Sequence, residues 1–438
     1  VGTGLYGVNQ GALGANTTGS YNTALGNQAL ISNTTANDNV AVGYTAGTAN
    51  TTGASNTFVG SESAVANTTG HSNVAIGKRA LYANTTGVSN TALGKDALYA
   101  NTTASNNTAV GADALTANTT GEWNTAIGNQ SLDANTTGDY NAAIGARALG
   151  ANTEGSHNSA LGYNALAANT TGSYNSALSR GALEDNTTGS HNTAVGYFAL
   201  HENTTGYSNV AIGKEALDAN TTGHRSVAIG IDALGANTTG VYNVAIGSYA
   251  LDAATTANAN VAVGMHALGS ATDQGDTVAV GYDALGDLTS GYWNTGIGHE
   301  AGCKITTALG NTALGYNALK ANVTGNYNTA VGKSALANST TQLNTAVGFG
   351  ALGTTTTGGS NTAVGYQALN DNTTAAQNTA IGVQALANNT TGEYNTAVGY
   401  QTLDSNTTGD RNVGVGNHAL GQNTEGEKNT AVGMNCLD

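Results

Sequence analysis

Proline is absent from the 438 residues, and charged side chains make up only 9% of them. Soluble chains on average carry about a quarter charged residues and about 5% proline. What charge there is runs acidic, with a formal net charge of −15, so the chain lacks the basic stripe that nucleic-acid phosphates require. The acids are dispersed and read as solubility and self-spacing. Cys303 and Cys436 are the only cysteines, too few for a disulfide framework or a Cys-rich zinc site, and they leave the redox compartment open. No apolar run reaches the ~18 residues of a membrane helix, so no span is expected. The chain begins VGTGLYG, without Met or a charged n-region, and is read as a processed product or a segment of something longer.

What fills the chain instead is Gly (62 residues) with Asn, Thr and Ala. Disordered segments are rich in proline and charge and poor in β-branched residues. Here small aliphatic residues recur on schedule, which argues for an ordered repeat. NTAVGYQALNDNTT at 361–374 returns as NTAVGYFALHENTT at 192 and NTAIGVQALANNTT at 378. With the Asn of NTAVG as position 1, anchors fall at Asn22, Asn39 and Asn56, through Asn192 and Asn209, to Asn429. Successive anchors are 17 apart, and one step, Asn328 to Asn344, is 16. Leu5 begins a worn first copy in which Asn9 takes position 5, and the last copy is cut at Asp438, giving 26 copies in one continuous domain over 1–438. Fixed periods of this kind mark solenoids and arrays.

The consensus is N-T-A-V-G-x-x-A-L-x-x-N-T-T-G-x-x. Position 4 is always Val, Ile or Leu, as at Val195 and Ile212; position 5 is nearly always Gly, as at Gly196 and Gly213; position 9 is mostly Leu, as at Leu200 and Leu217. Gly, Asn and Thr are weak helix formers, and a repeat this short leaves no room for a helix pair and its turns. NTAVG reads as a short strand ending at a Gly and NTTG as a turn. The expected fold is therefore all-β: a parallel β-solenoid, or β-roll, of about 26 coils. Coils stacked about 4.8 Å apart make a rod on the order of 120 Å long. Identical positions form ladders, with position-1 amides bonding to their copies above and below. Proline is excluded because every coil donates N–H groups to its neighbour.

Neighbouring strand residues point to opposite faces. Ala at position 3 and the aliphatic at position 4 therefore point apart, and both faces are apolar. One is read as a narrow interior. The other needs a cover, and the reading here is further copies of the chain in a homotrimeric fibre. The competing reading is a wider monomeric coil whose own position-9 Leu covers that face.

SNVAIGKRAL (72–81) and SVAIGIDAL (226–234) resemble the head repeats of YadA-like trimeric autotransporter adhesins. The longer phrase NTAVGYQAL…NTTG is similar to repeats in tail-fibre-type proteins of bacteria and phages. The resemblance spans essentially the whole chain. It implies a trimeric, left-handed parallel β-roll on a cell or virion surface, serving as an adhesive head or stalk. The coils here are longer than the usual head repeat, which makes NTTG an added outward turn.

Chemistry-bearing residues fall at variable positions. The eight histidines, His157 and His191 among them, occupy positions 6, 7, 10, 16 and 17. His157 and His191 lie two coils apart, roughly 10 Å, too far to share a metal whose ligands sit about 2 Å away. Glu184 and Asp185 adjoin in a turn, where solvation is the plainer reading. Asn-Thr-Thr at position 12 (Asn67, Asn135, Asn220, Asn389) matches the N-glycosylation acceptor and equally a structural Asx turn. Aromatics recur at position 6 (Tyr163, Tyr197) and position 17 (Trp123, Trp293) as candidate surface contacts or as covers for coil edges. Around 252–310 the position-12 Asn gives way to Ala254, Ala271, Leu288 and Ile305, and Gly302 replaces the position-9 Leu, next to Cys303. That stretch is either a recognition patch or a change in coil shape.

A repeat spreads small residues along a rod and builds no unique pocket. The expected function is a non-enzymatic structural and adhesive extracellular fibre without cofactors, whose partners are its own copies and host-surface glycans or proteins. The alternative is a solenoid that recognises glycans through Tyr rows or ice through Thr rows.

Overall fold

The computed structural model describes residues 6–8, as backbone, and 11–437. Leu5, Asn9 and Asp438, assigned above to the terminal copies, lie outside the described residues. The chain divides into two compact units, Val1–Thr222 and Gly223–Asp438. Both are parallel β-solenoids, and no helix occurs among the described residues. Each strand holds three residues, positions 2 to 4 of the repeat. It pairs in parallel with its counterpart one repeat on: in the first unit Thr193, Ala194 and Val195 face Val210, Ala211 and Ile212. In the second, Val244–Ile246 pairs with Val261–Val263 in the same register.

Hydrogen bonds between coils continue well beyond the strand. In the coil that starts at Asn192, the N–H groups of Thr193, Leu200, Glu202 and Thr204 donate to carbonyls of the following coil at 2.8 to 3.0 Å. Those of Gly196, Phe198 and Ser208 donate to the preceding coil at 3.0 to 3.3 Å. Two tight turns within the coil, Ala199 to Gly196 and Asn203 to Leu200, use further N–H groups at 3.2 and 3.3 Å. A proline at any of these positions would delete a bond that no other group replaces.

Closing a coil within so short a repeat demands unusual backbone. Gly196 has φ of 137°, and a Cβ there would collide with the Gly213 carbonyl oxygen of the next coil. Among the described residues Ser179 is the only exception at position 5, at φ 129°. Positions 7, 9 and 17 adopt the left-handed conformation with ordinary side chains: Phe198 at 55°, Leu200 at 52°, Ser208 at 57°. Each costs roughly 1–2 kcal/mol. The Leu offsets it by burial: Leu200 and Leu217 are 0% exposed, which is worth about 1.5–3 kcal/mol each. They share the interior with the Ala residues of positions 3 and 8, such as Ala194 and Ala199.

Two rows of asparagine complete the interior, and both are buried except towards the chain ends, where Asn16, Asn423 and Asn429 are half-buried. At position 1 the expected amide-to-amide bond forms in some coils, as from Asn39 Nδ2 to Asn22 Oδ1 at 3.2 Å and from Asn141 Nδ2 to Asn124 Oδ1 at 3.1 Å, and a bond from the backbone recurs beside it. The Asn209 backbone N–H donates to Asn192 Oδ1 at 3.0 Å, and Asn192 Nδ2 donates to the Gly206 carbonyl at 2.9 Å. In the first unit the shorter and more regular side-chain-to-side-chain ladder runs along position 12. There Asn203 Nδ2 donates to Asn186 Oδ1 at 2.7 Å and to the Gly206 carbonyl at 3.0 Å. NTTG is therefore not an outward addition, because its Asn points inward. Asn67, Asn135, Asn220 and Asn389 are all 0% exposed. The Asn135 amide uses both hydrogens, on Asn118 Oδ1 (2.8 Å) and the Gly138 carbonyl (3.1 Å). The glycosylation reading is corrected accordingly: the nitrogen that would carry the sugar is inside the coil.

The same geometry explains the irregular stretch. Ala254, Ala271, Leu288 and Ile305 are all fully buried, so the change there is in the interior. Gln274 turns inward beside Ala271, and neither of its amide atoms finds a partner, which costs about 1–3 kcal/mol. Elsewhere volume is conserved by neighbours. A Cβ on Gly302 would lie 2.9 Å from Leu285 and 3.0 Å from Ile305, both of which occupy the space of the missing Leu. Gly47 yields its space to the Phe58 ring in the same way, at 2.6 Å. The 16-residue step costs no register, since Thr329, Ala330 and Val331 still face Thr345, Ala346 and Val347. The loss falls on the exposed Thr of position 14: Thr340 keeps the position-13 bond to Thr356, and Thr341 supplies the carbonyl that normally belongs to position 15.

Two outcomes follow. Replacing Leu200 by Ala removes buried volume and keeps the left-handed strain, for a cost of about 2–5 kcal/mol. Leu200→Gly removes the same volume and more but relieves the strain, so it should be as stable as Leu200→Ala or about 1 kcal/mol more so. That reverses the usual order, and denaturant melts of the two variants check it. Asn203→Asp puts an acceptor against Asn186 Oδ1. Burial favours the neutral acid, so its pKa rises, the destabilisation of about 2–4 kcal/mol is present at neutral pH, and it fades as pH falls through that raised value. Melts at pH 4 and pH 7 should differ for the variant far more than for the parent.

Candidate functional site

With the interior filled, function falls to the outward faces. The first is the strand face. Position 4 alternates with the buried Ala and points outward; no position-4 side chain among the described residues is buried. Ile212 is 38% exposed, and Leu161 and Leu178 are 47% and 45% exposed. The monomeric reading, in which the position-9 Leu covers this face, is corrected: Leu200 and Leu217 are buried on the opposite, Ala-lined side. Positions 2 and 4 carry no charged residue in any copy. Each unit thus presents an apolar strip one strand wide, running from coil to coil.

The second face carries the rings. In the first unit Trp123, Tyr140, His157, Tyr174 and His191, all at position 17, stack one on the next. Their centroids are 6.4, 5.0, 4.8 and 5.0 Å apart and their planes lie within 6°. At position 6 the Arg180 guanidinium lies between Tyr163 and Tyr197, 5.9 and 5.8 Å from their rings. In the second unit Tyr282, His299 and Tyr316 stack at 5.1 and 5.3 Å, and the Lys333 ammonium is 5.7 Å from both Tyr316 and Phe349. Trp293 stands apart at 62% exposure, 6.4 Å from Tyr292. Within the rows each ring face is taken by its neighbour, so edges and hydroxyls point to solvent. Within a row a sugar ring would find a free face only at its end, and outside the rows at exposed rings such as Trp293 and Tyr21.

The Thr pair of positions 13 and 14 divides. Thr187 Oγ1 donates to the Thr204 carbonyl at 2.9 Å, and Thr204 Oγ1 to that of Thr221 at 3.0 Å, so the first hydroxyl serves the coil. The second Thr of each pair is exposed, whereas the first is half-buried in most coils and exposed in a few, such as Thr17, Thr255 and Thr356.

Glu184 is more engaged than its place in a turn suggests. It accepts from Asn164 Nδ2 at 2.8 Å and lies 3.6 Å from His201 Nε2, while His201 Nδ1 is 3.8 Å from Asp218. The three side chains climb position 10 over successive coils, a ladder that only the stacking reveals. No group of three His, Cys, Asp or Glu side chains among the described residues could hold a metal ion, and no helix is long and apolar enough to cross a membrane.

Cys303 fills the interior rim at 2% exposure, and burial, reinforced by Asp283 and Glu300, pushes its thiol up to about 11. A buried neutral thiol is unreactive. In the folded chain at pH 8, iodoacetamide should modify Cys436 and leave Cys303 intact until denaturant is added, as read by peptide mass spectrometry.

No family model matches the chain, and no curated protein matches it.

Proposed function

We propose that the chain is a structural and adhesive extracellular fibre, homotrimeric, in which copies bury their apolar strand faces against one another and present the outward turns and ring rows to a cell or virion partner. One observation carries this reading. A strip of half-exposed Val, Ile and Leu recurs once per coil, with no charged residue at positions 2 or 4 in any copy. Contiguous apolar surface of that extent on a soluble chain marks an interaction site. Outside the 252–310 stretch the filled interior leaves most variation to the surface positions, as expected of a scaffold that displays contacts. The dispersed acidic charge keeps such particles apart in solution.

The other reading, recognition of glycans or ice, draws on the exposed rows of Tyr and of position-14 Thr. The stacked ring faces and the committed position-13 hydroxyls leave less for either ligand to use.

The triple variant Val195→Asp, Ile212→Asp and Ile229→Asp tests the fibre. These side chains lie outside the coil interior, so circular dichroism should stay unchanged while the native mass falls from three chains to one. A parent protein with the mass of one chain would end the proposal.

A further inference from the structure

The outward strip of the first unit is uniform except at one place. From Thr23 to Val210 its position-2 residues are Thr or Val, save for three consecutive coils that carry Ala142, Ser159 and Ser176. The missing side chains open a groove of about 270 Å³, walled by Ile144, Leu161, Leu178 and Val195. Leu161 and Leu178 stand beside Ser159 and Ser176 and are among the most exposed position-4 side chains of the unit. The same coils hold the stacked rings two residues upstream: Tyr140 before Ala142, His157 before Ser159, Tyr174 before Ser176. Two residues span at most about 7 Å, so the backbone of the ring row runs close to the groove, whose walls are small and aliphatic residues.

The occupant that fits is a second copy of this chain. Anything that covers the strip must offer apolar groups once per coil, and the chain itself has that spacing. The area is also sufficient. At about 50 Å² of apolar surface per coil from position 4 and about 20 Å² from position 2, the first unit offers on the order of 800 Å², one side of a standard stable interface.

A periodic strip has a weakness, however. Sliding one copy by one coil rematches nearly every row, and uniform surfaces specify register poorly. We propose that Ala142, Ser159 and Ser176, together with Ile144, Leu161 and Leu178, form a register key between copies. This rests on the homo-oligomeric reading above and adds to it. With copies level, three large aliphatic side chains of one chain meet the three small residues of the next. Displacement by one coil in one direction drives Leu178 against Thr193; in the other it sets the shorter Val195 over Ser176 and leaves a void.

Cysteine pairs in the full-length chain test the key. The level pair is Ser159→Cys with Leu161→Cys; the displaced pairs are Ser159→Cys with Leu178→Cys and Ser159→Cys with Ile144→Cys. After mild oxidation of the native particle, chains linked between copies are counted on non-reducing gels and the linked peptides are mapped. The level pair should link at least several-fold more than either displaced pair. Filling the groove with Ser159→Val and Ser176→Val uses a residue that position 2 carries elsewhere, so the coils should persist. Monitored by a level cysteine pair one coil away, Thr125→Cys with Ile127→Cys, that variant should keep its native mass while level links fall and displaced links, from Thr125→Cys with Ile144→Cys, rise. Equal linking by level and displaced pairs in the parent, or no linking from an oligomer, overturns the key and leaves the oligomer standing. A native mass of one chain overturns both.

Discussion

Everything in this fold follows from one exchange: each coil gives its backbone N–H groups to the coils before and after it. The exchange runs around most of the circuit, from Thr193 and Gly196 at the strand to Leu200, Thr204 and Ser208 in the turns. Such a ladder tolerates no proline and, among the described residues, reserves position 5 for glycine in every coil but that of Ser179, because the carbonyl of the next coil occupies the space of a Cβ. It also sets the interior. Carbonyls left over at the corners need donors, and the buried amides of Asn192 and Asn203 converge on one of them, Gly206, while each also reaches an adjacent coil. A buried amide of this kind is favourable only when it is fully satisfied. The repeat satisfies it by putting the same amide in the next coil.

Much of this was legible in the sequence because a ladder repeats whatever it requires. The period, the strand at positions 2 to 4, the Gly that ends it and the opposed directions of Ala194 and Val195 all follow from spacing and the alternation of a strand. The inward turn of NTTG was not legible from local chemistry. Asn, Thr and Gly favour turns whichever way the turn faces, and only the closed shape of the coil decides that Asn203 lies inside. One signal did point there: where the Asn is lost around 252–310, its replacements are Ala254, Ala271, Leu288 and Ile305, all apolar, as interior sites require. The left-handed Leu200 gave no warning either, since Leu is a poor choice for that conformation and is retained for the volume it buries.

The surface is legible in a different way. Rows of Tyr, Trp and His were apparent from the period, but their stacking was not. The distance from Tyr140 to His157 to Tyr174 is set by coil spacing, which suits ring contact, and the rings occupy their own faces. The candidate contacts therefore change character, from ring faces for sugars to ring edges beside an apolar strip. Ladder formation is thus the common cause of the satisfied interior, the stacked rings and the uninterrupted aliphatic face. The amides and the rings find their partners in adjacent coils, whereas the aliphatic face stays half-exposed along the strip.

The most direct test of the stacked-coil account is a pair of deletions. Removing residues 175–191 excises one whole coil and joins position 17 to position 1, so the ladder closes over the gap. The account predicts a chain with unchanged circular dichroism per residue and nearly unchanged melting. Removing residues 175–182 takes about half a coil and places strand against turn, and the account predicts loss of cooperative melting in the first unit. If the two deletions behave alike, the coil-to-coil ladder is not what holds this protein together.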